Sequence, residues 1–473
     1  MAPRQRTAKR GPRTSRGIPE SLSSSLPRRY LCVERAFRSA GRETGGLLGL
    51  AGFSRTEWTR PYLMKLFPDR PDPSAEPNER AKGDRPRHAP DTLAIHAAEA
   101  DRGEGIPVVP PIVQSATFHG GDPEDRDELR YTRYGNNPNQ LLVGRKVAAL
   151  EGAEDGLLLA SGMAAISLTL LALVRSGDHL VASDRLYGAT RTFMERELPR
   201  RGVEVTFVDA EHPRGWRRAI RRETRGIYLE VPTNPTLRIF DPRPTSRLAF
   251  ERGIPLIMDA TFATPINFRP LDYGVDVVIH SATKYLGGHS DLIAGVVSGP
   301  GALIDEVRGL HRLYGPAPDP HMAWLLDRGL RTLPVRMARH NETAAALAEW
   351  FDDQPGVDAV LYPRHADHPD RALAEELFVG GGGMLGVILS SGEKGAVEFC
   401  RALELAAVAP SLGGVETLVS LPAWTSHRAM SPDQRVRQGI EPGFVRISVG
   451  LEGFEDLAAD FSQGLAASRA FGG

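Results

Sequence analysis

The chain has 473 residues, a formal net charge of −1 and 41% hydrophobic residues. That length can bury a large core and is long enough for two domains, while a charge this close to zero gives no electrostatic footprint for nucleic acid. No apolar run is long enough to span a bilayer, and two cysteines, Cys32 and Cys400, with no CxxC pair leave neither a disulfide framework nor a thiolate metal site.

The first 90 residues differ from the rest. Between Met1 and Arg42 there are eleven Lys or Arg against two Glu, followed by a stretch rich in Pro, Asp and Arg. Such a segment has little apolar surface to offset the entropy of ordering, so 1–90 is expected to be a disordered basic extension. Its basic, Ser-rich, acid-poor start also has the composition of an organelle transit peptide. No apolar core or clear cleavage signal follows, so it is read as a tail or as upstream sequence, and the cytoplasm is the default compartment.

From Asp91 the pattern is globular. Helical spacing covers 92–100, 146–151 and 163–174, the last nearly all apolar and therefore buried. Strand-like runs follow at 179–182, 203–208, 226–231, 255–258, 275–279 and 294–298, with helical stretches at 214–222 and 244–251 between them. This alternation predicts an α/β fold with a mostly parallel sheet covered on both faces, filling a large domain over 91–330. Beyond 330, a long helix at 334–351, strands near 357–362, 386–389 and 445–449, and a helix at 394–403 predict a smaller α+β domain over 331–473.

Ligands in such sheets bind at the carboxyl ends of strands. Lys284 stands there, in HSATKYLGGHSD, and a buried lysine loses part of its charge and can form a Schiff base. Ser281 and Thr283 flank it with hydroxyls suited to a phosphate, a combination that points to pyridoxal 5'-phosphate. Asp259 ends PLIMD and could hold a pyridinium nitrogen protonated. The backbone of Gly162 and Met163, after Ser161 at a helix start, could bind an anion. Tyr187 in LYGAT could stack on an aromatic ring. Tyr131 and Arg133 in YTRYGNNPN suit a phosphate, Asn234 in EVPTNP a phenolate, and Arg446 in FVRISVG a carboxylate. Taken singly, each has a structural alternative: a solvated lysine, a turn cap, a simple N-cap, an ordinary tyrosine, a polar loop or a structural ion pair. His289, His311, His340 and His427 form no pair at ligand spacing, so no metal site is expected.

In this order, from PPIVQSATF at 110–118 to RISVGLE at 446–452, the motifs resemble the Cys/Met-metabolism family of pyridoxal phosphate enzymes. That family includes cystathionine γ-synthase, cystathionine γ- and β-lyases, methionine γ-lyase and O-acylhomoserine sulfhydrylases. The resemblance implies an aspartate-aminotransferase-like (fold type I) architecture and a reaction through an external aldimine and Cα deprotonation. Lys284 would be the Schiff-base lysine and proton shuttle, with Tyr187 assisting. Asp259 would pair with the ring nitrogen. Gly162, Met163, Ser281 and Thr283 would hold the phosphate, and Asn234, Ser411 and Arg446 would position the substrate. Tyr131 and Arg133 would reach the phosphate of a neighbouring subunit, which implies a dimer sharing its active sites, usually within a tetramer. The implied activity makes or breaks the C–S bond of a cystathionine-like amino acid, with γ-chemistry preferred over β-elimination. Aminotransfer on the same fold, or a non-catalytic regulator using the basic tail, are the competing classes. Two departures bear on subtype. Ala189 stands where methionine γ-lyases carry cysteine, and Pro410 stands where many members carry a glutamate that anchors a distal amino group.

Overall fold

The computed structural model describes residues 60–68, 70, 88–99, 104–120, 129–211, 213–425, 427, 428 and 430–470. Seven strands make the larger sheet: β1 (Asp155–Leu159), β2 (His179–Ser183), β3 (Glu204–Val208), β4 (Thr224–Glu230), β5 (Leu256–Asp259), β6 (Val277–His280) and β7 (Gly295–Gly299). Their order is β1-β7-β6-β5-β4-β2-β3, and β7 alone runs against the others. Most of these strands read as unbroken apolar runs because both faces are covered. Alternate residues of one strand therefore enter different cores. In β2, Leu180 and Ala182 join a cluster with Ile166 and Leu170 of the helix Gly162–Leu173. Val181 between them joins a second cluster, with Leu248 and Ala249 of the helix Pro242–Arg252.

The smaller sheet is built from β8 (Val357–Leu361), β9 (Met384–Leu389), β10 (Ala407–Val408), β11 (Leu418–Ser420) and β12 (Phe444–Ser448), in the order β10-β11-β12-β9-β8. Two helices, Gly392–Ala402 and Phe454–Arg469, cover one face of it through Phe399, Phe461 and Leu465. The helix Leu333–Asp352 links the two halves. Its first turns (Leu333, Met337) pack with the large sheet, and its last (Leu347, Phe351) pack with the small one.

Most expected elements are present with ends shifted by one to three residues. The largest extension is the helix expected at 146–151, which spans Pro138–Glu151. Its first turns read as polar loop in the sequence. Asn137 caps them in a capping box with Gln140, and Pro138 sits at the first helical position, where its missing N–H costs nothing. Among the described residues no helix is long and apolar enough to cross a membrane.

The expectation of disorder over 1–90 needs correction where that stretch is described. Arg60–Lys65 is helical, and Leu63, Leu66 and Phe67 are buried in the cluster that covers one face of the large sheet. Arg70 forks onto Asp276 at 2.6 and 2.8 Å, donates to the Ile254 carbonyl at 2.9 Å and lies over the Phe250 ring. Three apolar side chains spaced by three and one residues were too sparse a signal against the polar composition around them. The rest of 1–87 lies outside the described residues.

Burial lifts the Asp276 pKa to about 6, with Arg70 opposing the rise. Arg70→Ala is therefore expected to destabilise the protein by about 3–5 kcal/mol near neutral pH, since it strands a buried carboxylate. A group raised in the folded state favours its protonated form there. Without Arg70 the Asp276 pKa rises further above 6, so the defect should be full only above that raised value and shrink as the pH falls toward 6 and Asp276 in the variant takes up a proton. Thermal melts of wild type and variant at pH 5 and pH 7.5 check this, and an equal shift at both would refute it.

Candidate active site

The large sheet aligns several chemically active residues because β1, β2, β4, β5 and β6 all run the same way. Asp259 is the last residue of β5 and Glu230 the last of β4, and the two are register partners. Lys284 follows the end of β6 by four residues, Tyr187 follows the end of β2 by four, and Ser161 follows β1 by two. They surround a cavity of about 580 Å³, within the usual size of a small-molecule site.

On its floor, Asp259 accepts hydrogen bonds from the Thr261 backbone N–H at 3.0 Å and the Thr261 hydroxyl at 2.5 Å. The Thr261 hydroxyl in turn accepts from the Ser281 N–H at 2.9 Å, tying Asp259 to the lysine loop. Burial raises the Asp259 pKa, and the Thr261 hydrogen bonds and the His280 ring work against the rise. Beside it, Glu230 is pushed up to about 8, first by burial and then by the Asp259 charge. Glu230 accepts from the backbone N–H of Tyr187 at 2.7 Å and of Asn234 at 3.1 Å. It thereby fixes the two loops that carry those residues. Neither carboxylate has a Lys or Arg ion-pair partner among the described residues, so a cationic ring nitrogen would find an uncompensated charge waiting for it.

Lys284 closes one side. Its Nζ donates to the Ser411 hydroxyl at 2.7 Å, and its pKa falls to about 8, through burial first and the Arg446 charge second. Arg446 comes from the small sheet. Val445 and Ile447 face that sheet's own core, so the two-residue period of a strand turns Arg446 to the opposite side, toward the cavity. Its guanidinium donates to Asn234 Oδ1 at 3.0 Å and to the Ser411 carbonyl at 3.1 Å. Burial lowers its pKa to about 10. Ser411 holds both contacts with φ of +93°, a conformation that costs a non-glycine residue of order 1–3 kcal/mol and is found mostly at functional sites.

The upper wall is the start of the helix Gly162–Leu173. Ser161 caps it, accepting from the Ala164 N–H at 3.1 Å, so the plain N-cap reading holds for its side chain. The N–H groups of Gly162 and Met163 belong to the first turn, where the helix supplies no acceptor. A Cβ on Gly162 would lie 2.7 Å from Ser281 Cβ, so glycine is what lets this wall and the lysine loop approach this closely. Gly413 is equally constrained, with φ of +76° and a virtual Cβ 2.6 Å from the Tyr285 N. Thr283 lines the cavity, with its hydroxyl engaged to Ala294 O at 3.2 Å.

Of the residues expected from sequence, Lys284, Asp259, Tyr187, Gly162, Met163, Ser281, Thr283, Asn234, Ser411 and Arg446 all line this cavity. Tyr131 and Arg133 do not. Tyr131 precedes the 3-10 turn Thr132–Tyr134 and Arg133 lies within it, where Arg133 donates to the Arg312 carbonyl at 2.6 Å and stacks over Tyr131 and Tyr134. Sequence reading missed Glu230 and Thr261. The former was visible as an acidic residue ending a strand in EVPTNP, and the latter follows Asp259 by two residues, the usual spacing of a side-chain turn.

An anion cradle at a helix start, a low-pKa lysine and an uncompensated carboxylate at the ends of this sheet fit pyridoxal phosphate and define a fold type I enzyme that depends on it. Comparison with known proteins agrees. The profile of the Cys/Met metabolism PLP-dependent enzymes matches residues 91–466. The chain is 38% identical to chloroplastic cystathionine gamma-synthase 1 of Nicotiana tabacum, over 79% of this chain and 71% of that one. It is 40% identical to the L-methionine gamma-lyase of Pseudomonas putida, over 80% and 97%. The crystal structure of cystathionine gamma synthase from Xanthomonas oryzae pv. oryzae, in complex with aminoacrylate and cysteine, superposes with a TM-score of 0.78 at 35% identity, covering 82% of this chain and all of that one. The chain belongs to the Cys/Met metabolism family of PLP-dependent enzymes.

Proposed function

We propose that this enzyme makes or breaks the C–S bond of cystathionine-like amino acids, as a cystathionine γ-lyase or γ-synthase does. The observation that carries this reading is the close grouping of the Lys284 amine, the Ser411 hydroxyl and carbonyl, and the Arg446 guanidinium. Bound pyridoxal phosphate supplies an electron sink for charge developing at the substrate's Cα.

The side chains do the rest. Arg446 forks onto the substrate carboxylate, and Asn234 steadies the guanidinium while its amide N–H₂ remains to donate to the cofactor. Lys284 holds the cofactor between turnovers. Once displaced by substrate, its amine stands where it can take the Cα proton and return it further along the side chain. Asp259 keeps the ring nitrogen protonated, Tyr187 covers the ring, and Gly162, Met163, Ser281 and Thr283 hold the phosphate. Tyr131 and Arg133, outside this chain's own cavity, serve the phosphate of a neighbouring subunit in a dimer that pairs into a tetramer. We place the enzyme in the cytoplasm.

Product analysis with L-cystathionine tests the reading. Cysteine with 2-oxobutyrate identifies a γ-lyase, and homocysteine with pyruvate a β-lyase. If cystathionine is not cleaved, O-acylhomoserine with cysteine or sulfide tests γ-replacement. Transfer of the amino group to a 2-oxo acid, with no bond broken to sulfur, would overturn the proposal.

Arg446→Ala is expected to lower kcat/KM by about 10- to 100-fold, mostly through KM, as for the loss of a charged hydrogen-bond pair. Arg446→Lys should recover little, because a single ammonium cannot replace the planar fork. Steady-state kinetics on both variants provide the check, and an unchanged KM in Arg446→Ala would remove the residue from carboxylate recognition.

A further inference from the structure

We propose that Asp352, His365 and Asp367 form a binding site for a divalent transition-metal ion such as Zn2+, separate from the active cavity. Asp352 ends the helix Leu333–Asp352, while His365 and Asp367 lie in the loop that follows β8. One ligand atom of each lies within 4.8 Å of the other two, and His365 Nε2 is 3.8 Å from Asp352 Oδ2.

The imidazole makes this more than a surface pair of acids. The His365 side chain is only 2% exposed, and its Nδ1 is buried without a hydrogen-bond partner. Its Nε2 faces the carboxylates at a distance too long for a hydrogen bond. Among the described residues, no hydrogen bond reaches the Asp352 or Asp367 carboxylates either. His365 Nε2 and the two exposed carboxylates are thus three potential ligand atoms that converge on one point without a hydrogen bond among them. The neighbouring Arg364 is turned away, donating to the Val379 carbonyl at 2.9 Å.

The donor set indicates the kind of ion. One imidazole nitrogen with two carboxylate oxygens suits zinc and its neighbours, whereas Ca2+ and Mg2+ take all-oxygen sets. Ligands about 2.0–2.2 Å from zinc lie roughly 3.3 Å apart in a tetrahedron. The present spacing reaches that by small rotations of the two exposed aspartates. The histidine needs no rearrangement, because turns closed by His365 N to Tyr362 O (2.9 Å) and His368 N to His365 O (3.1 Å) hold it. Both aspartates are exposed, so water could complete the coordination. An ion there would clip the end of the long helix to the loop after β8.

The test is calorimetric titration of Zn2+ into the full-length, pyridoxal-phosphate-loaded enzyme in a non-chelating buffer. One ion per chain is expected. His365→Ala should weaken binding at least about tenfold, the scale on which even supporting residues of metal sites act. The double variant Asp352→Asn, Asp367→Asn alters only exposed side chains, so it keeps the fold and should show the same loss. Absence of zinc binding by the wild type, or equal binding by wild type and both variants, overturns the proposal.

Discussion

Lys284→Ala is expected to abolish turnover, with kcat falling about 10⁴-fold or more, because in the proposed mechanism one group serves both as the cofactor's anchor and as the proton carrier. The absorption band of lysine-bound pyridoxal phosphate should vanish with it, while far-UV circular dichroism stays unchanged. The fold should survive because the amine is the costly group in this setting. Its loss frees only the Ser411 hydroxyl, which can rotate to another partner. Wild-type-like turnover in the variant would sink the proposed mechanism. The lysine also sets a pH dependence. Burial and the Arg446 charge place its pKa at about 8 in the cofactor-free protein, and only the neutral amine attacks an aldehyde. The rate at which added pyridoxal phosphate is captured should therefore rise with pH through about 8 and then level off. Arg446→Ala removes a charge that disfavours the ammonium, so it should move that midpoint upward. Stopped-flow absorbance over pH 6.5–9.5 reads both, and a flat profile would show that the amine does not titrate there.

Asp259→Asn should cost about 10²–10³-fold in kcat, the usual price of removing one preorganised electrostatic partner of a reacting group. The amide can still accept from Thr261 N–H and hydroxyl, so geometry is kept and charge alone is lost. The cofactor-free variant carries the opposite sign. Burial and the Asp259 charge lift Glu230 from its ordinary 4.5 to about 8. A carboxyl raised in this way stabilises the fold at low pH and loses that contribution as the pH climbs through 8. Removing the Asp259 charge brings the Glu230 pKa down and relieves part of that loss. The cofactor-free variant should thus melt no lower than cofactor-free wild type at pH 8, while the cofactor-loaded variant melts below its wild-type counterpart. Differential scanning calorimetry on the four samples separates the two effects. A variant that keeps both wild-type turnover and wild-type cofactor affinity would remove Asp259 from the site.

The strand ends were legible because of what surrounds them. A strand buried on both faces must be largely apolar, so the polar residues at and just beyond its end mark where the chain reaches solvent or a ligand. Asp259 stood out as the residue ending its strand, and Lys284 and Asn234 as polar residues four positions beyond theirs. Glu230 was passed over because its partners are backbone N–H groups of two loops, 43 and 4 residues away in sequence, and no side-chain motif advertises them. Tyr131 and Arg133 had the right chemistry for a phosphate, yet within one chain they turn outward onto the helix Gly301–Tyr314.

By itself, the sequence determined the alternation of strands and helices, the residues at the strand ends and the chemistry those residues can perform, because periodicity and residue type are local properties. The tertiary structure alone decided which distant residues meet. Arg446 reaches Asn234 across 212 residues, Ser411 receives the Lys284 amine across 127, and Arg70 closes on Asp276 across 206. Those meetings depend on how the small sheet and the N-terminal segment pack against the large sheet, and that packing follows from the summed burial of many side chains rather than from any local pattern.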